Sequence, residues 1–344
     1  MKILSTCLLA LFFAATLFSQ QSYKIGCIGF YNFENLFDTL DTPDVNDFEF
    51  TPEGDNRYTP EVYREKLTNL SRVVAELGLE LTPDGVALLG VSEIENRSVL
   101  EDFVQQPSVK ARNYQIVHYD SPDRRGIDVG LLYNPKYYEV SSSASVPLYL
   151  FDSNGDSIFT RDILLVSGLF DGEPLHVMVN HWPSRRGGEA ATQPLRNAAA
   201  LKCKTIADSI MAVDPSAKVI IMGDLNDDPS SPSVREVIQA KRKKEEVKAG
   251  GFFNPMYDYY KKGIGTLAYR DAWSLFDQLI ISSTFLDGDK SEYQFYKAIV
   301  HNPPYLTQKE GAFKGYPFRT YAGNTYLGGY SDHFPVYLFI IKPN

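Results

Sequence analysis

The stretch VALLGVSEIEN, at residues 86–96, shows the pattern on which the fold prediction depends. It opens with an unbroken apolar run from Val86 to Val91, which is typical of a short strand that is covered on both faces. The polar residues Ser92, Glu93 and Glu95 follow at once, where the buried strand ends. A single glutamate at a strand end is ordinarily a solvated turn residue, so the prediction depends on whether the pattern recurs.

The same change from an apolar run to polar side chains occurs at other predicted strand ends. A buried strand ordinarily ends in turn residues of no particular type, but these strands end in carboxylates, amides and histidines. The positions are Asn32, Asn180-His181, Asp224-Leu225-Asn226, Asp277 and Asp332-His333. Because strand ends can converge on one rim of a sheet, where ligand sites commonly lie, we expect these side chains and Glu93 to form one site.

The remaining segments predict an α+β fold in which strands outnumber helices. Strands come largely in neighbouring pairs, and two helices are expected: one over residues 59–78, opened by Thr59-Pro60 and stopped by Gly78, and one over about residues 194–213. A four-layer α/β/β/α sandwich of two mixed, largely antiparallel sheets would bury all of the apolar runs. A Pro- and Gly-rich stretch at residues 301–329 is expected to be a long surface loop.

The chain has 344 residues, of which 44% are hydrophobic and 13% aromatic, which suits one large domain over residues 21–344. Residues 1–20 begin with Lys2 and continue as an apolar run from Leu8 to Phe18, about the length of a signal-peptide core. We therefore expect an exported protein, periplasmic or extracellular, without stable membrane insertion after cleavage. A hydrophobic N-terminal strand or an uncleaved anchor is the alternative.

The formal net charge of −9 gives the protein no general attraction for polyphosphate. A nucleic acid substrate would therefore need a local basic rim and a bound cation. The candidate rim residues are Arg124, Arg125, Arg161, Arg185 and Arg186. Cys27 and Cys203, the thiols left after signal removal, are too few for a disulfide framework.

The residue types at the predicted site indicate a bound cation and proton transfer. The carboxylates and amides form an oxygen-rich ligand set that suits Mg²⁺, Mn²⁺ or Ca²⁺ and argues against zinc. His181 and His333 suit proton transfer and charge stabilisation around a phosphoryl group. His118, His176 and His301 lack a carboxylate in a comparable frame, and we interpret them as ordinary histidines.

The order of these motifs, above all Gly223-Asp224-Leu225-Asn226 and Ser331-Asp332-His333-Phe334-Pro335, resembles the endonuclease/exonuclease/phosphatase superfamily. The resemblance runs from Tyr23 to the C-terminus, and its motifs are specific when they occur together in this order. It implies hydrolysis of phosphate esters with a divalent cation, most simply Mg²⁺, with Mn²⁺ or Ca²⁺ as alternatives. The resemblance implies that Asn32, Glu93 and Asp332 bind the metal, and that His181, Asp224, Asn226, Asp277 and His333 are catalytic. The resemblance, together with the expected basic rim, implies that the substrate is bound by Arg161, Asn180 and Arg185.

The expected function is that of a secreted nuclease or related phosphodiesterase whose substrate is a phosphate ester, DNA and RNA among them, with no protein partner implied. Asp277 is expected to orient His333, and Asp128 is the candidate partner of His181. An inositol-phosphate phosphatase or a lipid phosphodiesterase is the alternative among enzymes, since one fold serves many substrates. A non-catalytic binding protein is disfavoured because both histidines and Asp224 are present.

Overall fold

The computed structural model describes residues 22–152 and 154–344, and the predicted signal peptide at residues 1–20 lies outside them. Two six-stranded sheets with helices on the outside make up most of this part, which confirms the predicted α+β sandwich. In chain order the strands are β1 (Tyr23–Leu36), β2 (Leu88–Ile94), β3 (Gln115–His118), β4 (Asp128–Tyr133), β5 (Tyr138–Val146), β6 (Leu150–Phe151), β7 (Ser157–Ile158), β8 (Ile163–Phe170), β9 (Glu173–His181), β10 (Lys218–Asp224), β11 (Phe252–Phe253), β12 (Leu267–Tyr269), β13 (Ala272–Ser274), β14 (Asp277–Ser282), β15 (Gln294–Val300), β16 (Tyr321–Ala322), β17 (Thr325–Tyr326) and β18 (Val336–Pro343). The α-helices are α1 (Pro60–Glu76), α2 (Arg97–Val104), α3 (Glu189–Val213) and α4 (Tyr257–Lys261), and shorter helical turns occur at Phe48–Phe50, Lys110–Arg112, Ser233–Ile238, Lys244–Glu246, Ser283–Phe285 and Pro304–Leu306. Within the described residues, no helix is both long and apolar enough to cross a membrane.

Both large sheets are mixed, with one parallel pair at the centre of each. The first sheet has the order β15-β18-β1-β2-β4-β3, and the second has the order β11-β14-β10-β9-β8-β5. β1 and β2 are parallel in the first sheet, β9 and β10 are parallel in the second, and the other neighbours are antiparallel. The carboxyl end of β10 therefore lies beside the carboxyl end of β9 and the amino end of β14, at one rim of the sheet.

Strand β10 shows why the central strands have continuous apolar sequences. Ile220 and Met222 pack into the core that is shared with the first sheet, whereas Val219 and Ile221 pack into a second core that includes Cys203 of α3. Because successive side chains point to opposite faces of a strand, both faces of β10 are buried. On the far side of the first sheet, α1 contributes its apolar stripe to the first core, which completes the four layers.

Local sequence signals set the start of α1 correctly but misplace the start of α3. The Thr59 hydroxyl accepts a hydrogen bond from the Val62 backbone N–H (3.4 Å), as expected of a helix N-cap. α3 begins at Glu189, so Pro194 lies inside the helix, whereas we predicted a start near that proline. The turn before Pro194 is held by the guanidinium of Arg196, which donates to the Glu189 carbonyl (3.0 Å), a contact that local sequence rules do not include.

Residues 301–329 form the largely irregular surface segment that the sequence predicts, but they also contain short elements and a buried contact. They contain a helical turn and the hairpin β16–β17, and Thr320 within them is buried. The Thr320 backbone N–H donates to the Glu34 carboxylate (2.7 Å), and its hydroxyl accepts from the Lys66 ammonium (2.6 Å). Prolines and glycines mark turns but do not show which way a turn faces, so the sequence missed that this segment packs against the rim.

Candidate active site

Asp224, the last residue of β10, lies at the centre of the polar residues at the rim. Its Oδ2 accepts a hydrogen bond from the Asn32 amide (3.2 Å) and lies 3.6 Å from His181 Nε2 and 3.9 Å from His333 Nε2. The sheet register explains this arrangement, because His181 on β9 and Asp277 on β14 are the direct neighbours of Asp224. The structure thus brings together polar residues from separate strand ends of both sheets.

Four non-glycine residues at the rim have left-handed backbone conformations. The φ angle is +45° at Glu34, +52° at Asn35, +56° at Glu93 and +50° at Asn226. Glu93 also lies where the pairing of β2 with β4 is irregular, so the regular alternation of side chains is broken there. Such conformations cost on the order of 1–3 kcal/mol each and cluster at functional sites. Their concentration at this rim supports its assignment as the active site.

His333 is held by a carboxylate and carries a positive charge. Its Nδ1 lies 2.7 Å from Asp277 Oδ2, the contact that the sequence predicted, and both side chains are buried. Burial alone lowers the pKa of His333, but the negative charges of Asp277 and Asp224 outweigh burial and hold that pKa well above its usual value of 6.5. Burial raises the pKa of Asp224 to about 7, and the positive charge of His333 opposes that shift. The His333 ring is therefore a proton donor at neutral pH.

His181 is neutral, and in the part of the chain that the structure describes no carboxylate is bound to its Nδ1. Among residues 22–152 and 154–344, nothing hydrogen-bonds its buried Nδ1, and its Nε2 lies 3.7 Å from Glu93 Oε1. Burial lowers the pKa of His181 well below 6.5, and the positive charges of Arg161, Arg125 and His333 lower it further. Two histidines in different charge states thus adjoin one carboxylate.

Asp128, the predicted partner of His181, contacts a different histidine, so that pairing is wrong. Asp128 Oδ2 lies 3.1 Å from His118 Nε2, and Asp128 Oδ1 accepts a hydrogen bond from the Ser121 backbone N–H (2.8 Å). The pairing of β3 with β4 places His118 opposite Gly130, close to Asp128 on the next strand, and the sequence did not fix this register. His118 therefore does have a carboxylate partner, contrary to our interpretation of it as an isolated histidine.

The predicted metal ligands Asn32, Glu93 and Asp332 each contact a neighbouring group at the rim. Asn32 Oδ1 accepts a hydrogen bond from the Glu34 backbone N–H (2.8 Å), and Glu93 Oε2 accepts one from the Asn35 backbone N–H (3.0 Å). Asp332 Oδ2 forms an ion pair with the guanidinium of Arg319 (2.8 Å). Each of these side chains keeps one further oxygen or lone pair that can meet a ligand.

The sequence analysis missed three charged residues of the site, namely Glu34, Lys66 and Arg319. Together with Asp332 they line a cavity of about 290 Å³. Burial and the negative charge of Asp332 raise the pKa of Glu34 to about 7, and Lys66 and Arg319 oppose the shift. Two sequence signals were available: Glu34 follows Asn32 by two positions, and Lys66 stands on the apolar stripe of α1, four positions before Leu70.

The donor set at the rim fits a hard divalent cation. Glu34, Glu93 and Asp332 offer carboxylate oxygens, and Asn32 offers an amide oxygen. Burial raises the pKa values of Glu34 and Asp224, and negative charge adds to the shift, from Asp332 at Glu34 and from Asp277 and Glu93 at Asp224, a repulsion that a cation relieves. In the described part of the chain, only the group at His118 brings three ligand atoms within 4.8 Å of one another, so the rim carboxylates would have to draw together around an ion.

Arg161 holds the backbone that carries His181. Its buried guanidinium pairs with Asp123 (2.8 Å) and donates to the carbonyl oxygens of His181 (3.1 Å) and Trp182 (2.8 Å). The Trp182 carbonyl also accepts from the Asn226 side-chain amide (2.9 Å). The structure therefore supports a positioning role for Arg161, while its contact with substrate stays a prediction.

Asn180 is buried beside the predicted catalytic residue His181, and protein groups occupy its amide. Its Nδ2 donates to the backbone carbonyl of Met222 (3.1 Å), and its Oδ1 accepts from Trp182 Nε1 (3.1 Å). Gly223 passes so close to Asn180 that a Cβ there would lie 2.1 Å from the Asn180 carbonyl oxygen, which explains the glycine of the Gly-Asp-Leu-Asn motif. Substrate binding by Asn180 stays a prediction.

Arg185 lies at the edge of the site, over the ring of Phe276 (4.5 Å from guanidinium carbon to ring centre). It donates to the Asn226 carbonyl (2.9 Å) and pairs with Asp227 (3.3 Å) and Asp228 (3.2 Å). These contacts fix the loop that follows Asp224. The predicted role of Arg185 in substrate binding is likewise untested by the structure.

Comparison with known proteins agrees with the geometry of the site. A family model described as "Endonuclease/Exonuclease/phosphatase family" matches residues 27–342. No curated protein sequence matches the chain. The chain is similar in structure to an endonuclease/exonuclease/phosphatase family protein from Bacteroides thetaiotaomicron (12% identity, 94% of this chain and 97% of that chain, TM-score 0.54). It is similar also to a mannosyl-6-phosphatase from Bacteroides thetaiotaomicron (14% identity, 92% of this chain and 99% of that chain, TM-score 0.53). A third similar structure is TDP2 from D. rerio complexed with single strand DNA product (13% identity, 91% of this chain and 98% of that chain, TM-score 0.51).

Proposed function

Because the chain belongs to the endonuclease/exonuclease/phosphatase family, and is therefore a metal-dependent phosphoric-ester hydrolase, we propose that it is an exported, Mg²⁺-dependent phosphodiesterase that cleaves nucleic acid. The observation that carries the proposal is the pair of histidines, one charged and one neutral, whose Nε2 atoms lie near Asp224 Oδ2. Cleavage of a phosphodiester needs a proton for the leaving oxygen and a group that accepts a proton from the attacking water. This arrangement supplies both.

The role of each residue follows from its charge and its contacts. His333, kept charged by Asp277, donates a proton to the leaving oxygen and stabilises negative charge on the phosphoryl group. Asp224, whose pKa is raised to about 7, orients the attacking water and accepts its proton. His181, neutral and close to Asp224, contributes a hydrogen bond through Nε2.

Glu34, Glu93 and Asp332, with the amide oxygen of Asn32, would hold the divalent cation. When bound, the cation supplies positive charge that stabilises the charge developing on the phosphoryl group. We propose Mg²⁺ because it is usually bound through one or two carboxylates together with substrate phosphate, which an open, oxygen-lined rim of this kind allows.

An arginine–aromatic rim beside the His181 side of the site supports a polynucleotide substrate. It comprises the exposed residues Arg124, Arg125, Tyr149, Phe151 and Phe159. Tyr149 and Phe151 flank Leu150, which pairs with Ile158 next to Phe159. The Arg124 guanidinium lies 5.5 Å from the ring centre of Phe159, and the side chain of Asp123, next to Arg124, pairs with the Arg161 that holds His181. Cations that track phosphates and exposed rings on which bases stack are the usual means of binding a single strand.

A phosphatase for small phosphate monoesters is the second candidate. The cavity of about 290 Å³ beside Asp332 favours it, because carboxylates, amides and the Arg319 guanidinium there could bind a small hydroxylated group. Inositol phosphates, the alternative suggested by the sequence, belong to this class. A substrate panel separates the two candidates.

The central experiment measures hydrolysis by the purified protein after treatment with EDTA and after readdition of metal. We expect EDTA to abolish cleavage of a fluorescent oligonucleotide and Mg²⁺ or Mn²⁺ to restore it, since the donor set is carboxylate-rich. Turnover of sugar or inositol monoesters with no cleavage of DNA or RNA would replace the proposal by the second candidate. Full activity in EDTA, or restoration by Zn²⁺ alone, would refute the metal assignment.

A paired measurement tests the arginine–aromatic rim separately from the chemistry. The double variant Tyr149→Ala/Phe159→Ala should lower kcat/KM for an oligonucleotide by roughly tenfold or more, since each lost base stack is worth about 1–3 kcal/mol. Hydrolysis of bis-p-nitrophenyl phosphate, which is too small to reach the rim, should not change. An equal loss on both substrates would mean that the variant damages the site itself.

Export is proposed from residues 1–20 and is tested by cell fractionation. N-terminal sequencing of protein recovered from the periplasm or medium should show that the apolar segment from Leu8 to Phe18 has been removed. Recovery of intact, Met1-starting protein from the cytoplasm would contradict export without affecting the catalytic proposal.

A further inference from the structure

Lys66 is a buried cation in the carboxylate-lined cavity beside the proposed metal site. It stands on α1 four positions before Leu70, so a lysine takes a position on the apolar stripe of an amphipathic helix. Its side chain is fully buried, and its ammonium donates to the hydroxyl of Thr320 (2.6 Å). Burial of an ammonium is costly unless nearby charge compensates for it, so this position calls for an explanation.

The charges around Lys66 are close but not in contact with it. Among the described residues, no carboxylate oxygen approaches Lys66 closely enough for an ion pair. Glu34 and Asp332 nevertheless line the same cavity, of about 290 Å³, and Arg319 is its second cation. Burial lowers the pKa of Lys66, and the negative charges of Glu34, Asp332 and Glu93 oppose that shift. The protonated side chain adds positive charge to the cavity without occupying a carboxylate oxygen, which leaves those oxygens available to another ligand.

Lys218 shows that this arrangement is not simply how the fold buries a lysine. Lys218 is also buried, at the start of β10, but its ammonium forms ion pairs with Glu173 (3.5 Å) and Glu292. Asp224, at the other end of the same strand, is the residue that lies in the active site. The two lysines thus form a natural comparison between a paired lysine remote from the site and an unpaired lysine within it.

Given the metal dependence proposed above, we propose that Lys66 is a fixed cation that takes the electrostatic place of a second divalent ion, so that the site binds only one. Four carboxylates face the two cations Lys66 and Arg319: Glu34, Glu49 and Asp332 line the cavity with them, and Glu93 acts on Lys66 from outside that lining. The formal excess is therefore two negative charges, which one divalent ion neutralises. A second ion would bring a large uncompensated positive charge into a buried site, which is strongly unfavourable at low dielectric.

The test measures the number of ions bound, which does not require turnover. Mn²⁺ titration of the purified full-length protein, followed by calorimetry and electron paramagnetic resonance, should show one ion per chain in the wild type. Lys66→Met removes the charge with little change of shape, and it should bind two ions, seen as spin coupling between neighbouring Mn²⁺ centres. Lys66→Arg retains the charge and should bind one.

Two further variants keep the inference open to refutation. Lys218→Met, the matched control, should bind one ion, because its charge lies at the far end of β10. Lys66→Gln, which can still hydrogen-bond to Thr320, replaces Lys66→Met if the methionine variant does not fold. One ion bound by a folded neutral variant, or two bound by the wild type, would overturn the role of Lys66. A wild type that binds none would instead refute the proposed metal site.

Discussion

The two histidines of the site have opposite surroundings. His333 Nδ1 lies 2.7 Å from the buried carboxylate of Asp277, whereas the backbone of His181 is held by the guanidinium of Arg161 (3.1 Å from Nε to the His181 carbonyl). Both rings are buried, and burial lowers the pKa of both. The sign of the neighbouring charge therefore decides which ring keeps its proton. His333, which lies beside a carboxylate, keeps its proton, and His181, which lies near a guanidinium, does not.

This difference shows that residue type alone does not assign an acid and a base. In the mechanism that we propose, His333 contributes a full charge and a transferable proton, while His181 contributes a hydrogen bond from a neutral ring. We therefore expect unequal losses from equivalent substitutions, and opposite effects on the two limbs of the pH–rate profile.

His333→Ala should have the largest effect. It removes both a charge and a proton donor, so kcat on an oligonucleotide should fall by about 10⁴-fold at neutral pH. On bis-p-nitrophenyl phosphate, whose leaving group needs little protonation, the loss should be much smaller. Equal losses on both substrates would show that His333 does not donate the proton. Circular dichroism and the melting temperature serve as controls for folding.

Asp277→Asn should have the next largest effect, of about 10²–10³-fold in kcat at pH 8. The aspartate raises the pKa of His333, so its loss lowers that pKa and moves the basic limb of the profile to lower pH. Activity should therefore recover partly as the pH falls from 8 toward 7, below which protonation of Asp224 opposes the recovery. Because the two residues act as a unit, Asp277→Asn combined with His333→Ala should be little worse than His333→Ala alone. Additive losses would mean that they act independently.

His181→Ala should lower kcat by about 10²-fold, less than His333→Ala, because a neutral ring contributes only a hydrogen bond. Protonation of Asp224, whose pKa is about 7, should begin the acidic limb of the profile, and protonation of His181, whose pKa lies well below 6.5, should add a second step at lower pH. The variant should lack that second step. A loss as large as that of His333→Ala would remove the distinction between the two rings, and activity within threefold of wild type would leave His181 a structural residue.

Arg161→Met should have the smallest effect on kcat, less than about tenfold at the optimum, because Arg161 acts through His181. Loss of its positive charge should raise the pKa of His181 and move the lower step of the acidic limb, which reports His181, to higher pH. Asp123 would lose its buried ion pair and keep only its contacts with Arg125, a backbone hydrogen bond (2.9 Å) and a guanidinium 3.8 Å away, so stability should fall by about 3 kcal/mol. Arg186→Met, at an exposed position nearby, is the control and should change neither the acidic limb nor the stability. A large fall in kcat with an unmoved acidic limb would favour direct contact between Arg161 and substrate.

Much of the site could be predicted from the sequence because its residues end apolar strands in a recognisable order. Asp224 and His333 belong to specific motifs, and the contact between Asp277 and His333 is present as predicted. The partner of His181 could not be predicted, since pairing Asp128 with the correct histidine requires the register of β3 on β4. Lys66 was missed because one lysine on a helix ordinarily extends to solvent.

By itself, the sequence determined the α+β class, the start of α1 and the group of strand ends that form the site, because these follow from local hydrophobic periodicity, capping and residue chemistry. Only the tertiary structure decided the charge of each histidine, because that charge depends on burial and on groups distant in sequence, such as Asp277 for His333. The packing of Thr320 against Glu34 and Lys66 was likewise decided only in three dimensions. Through-space electrostatics falls off with distance between atoms and not with separation along the chain, so no local pattern could encode it.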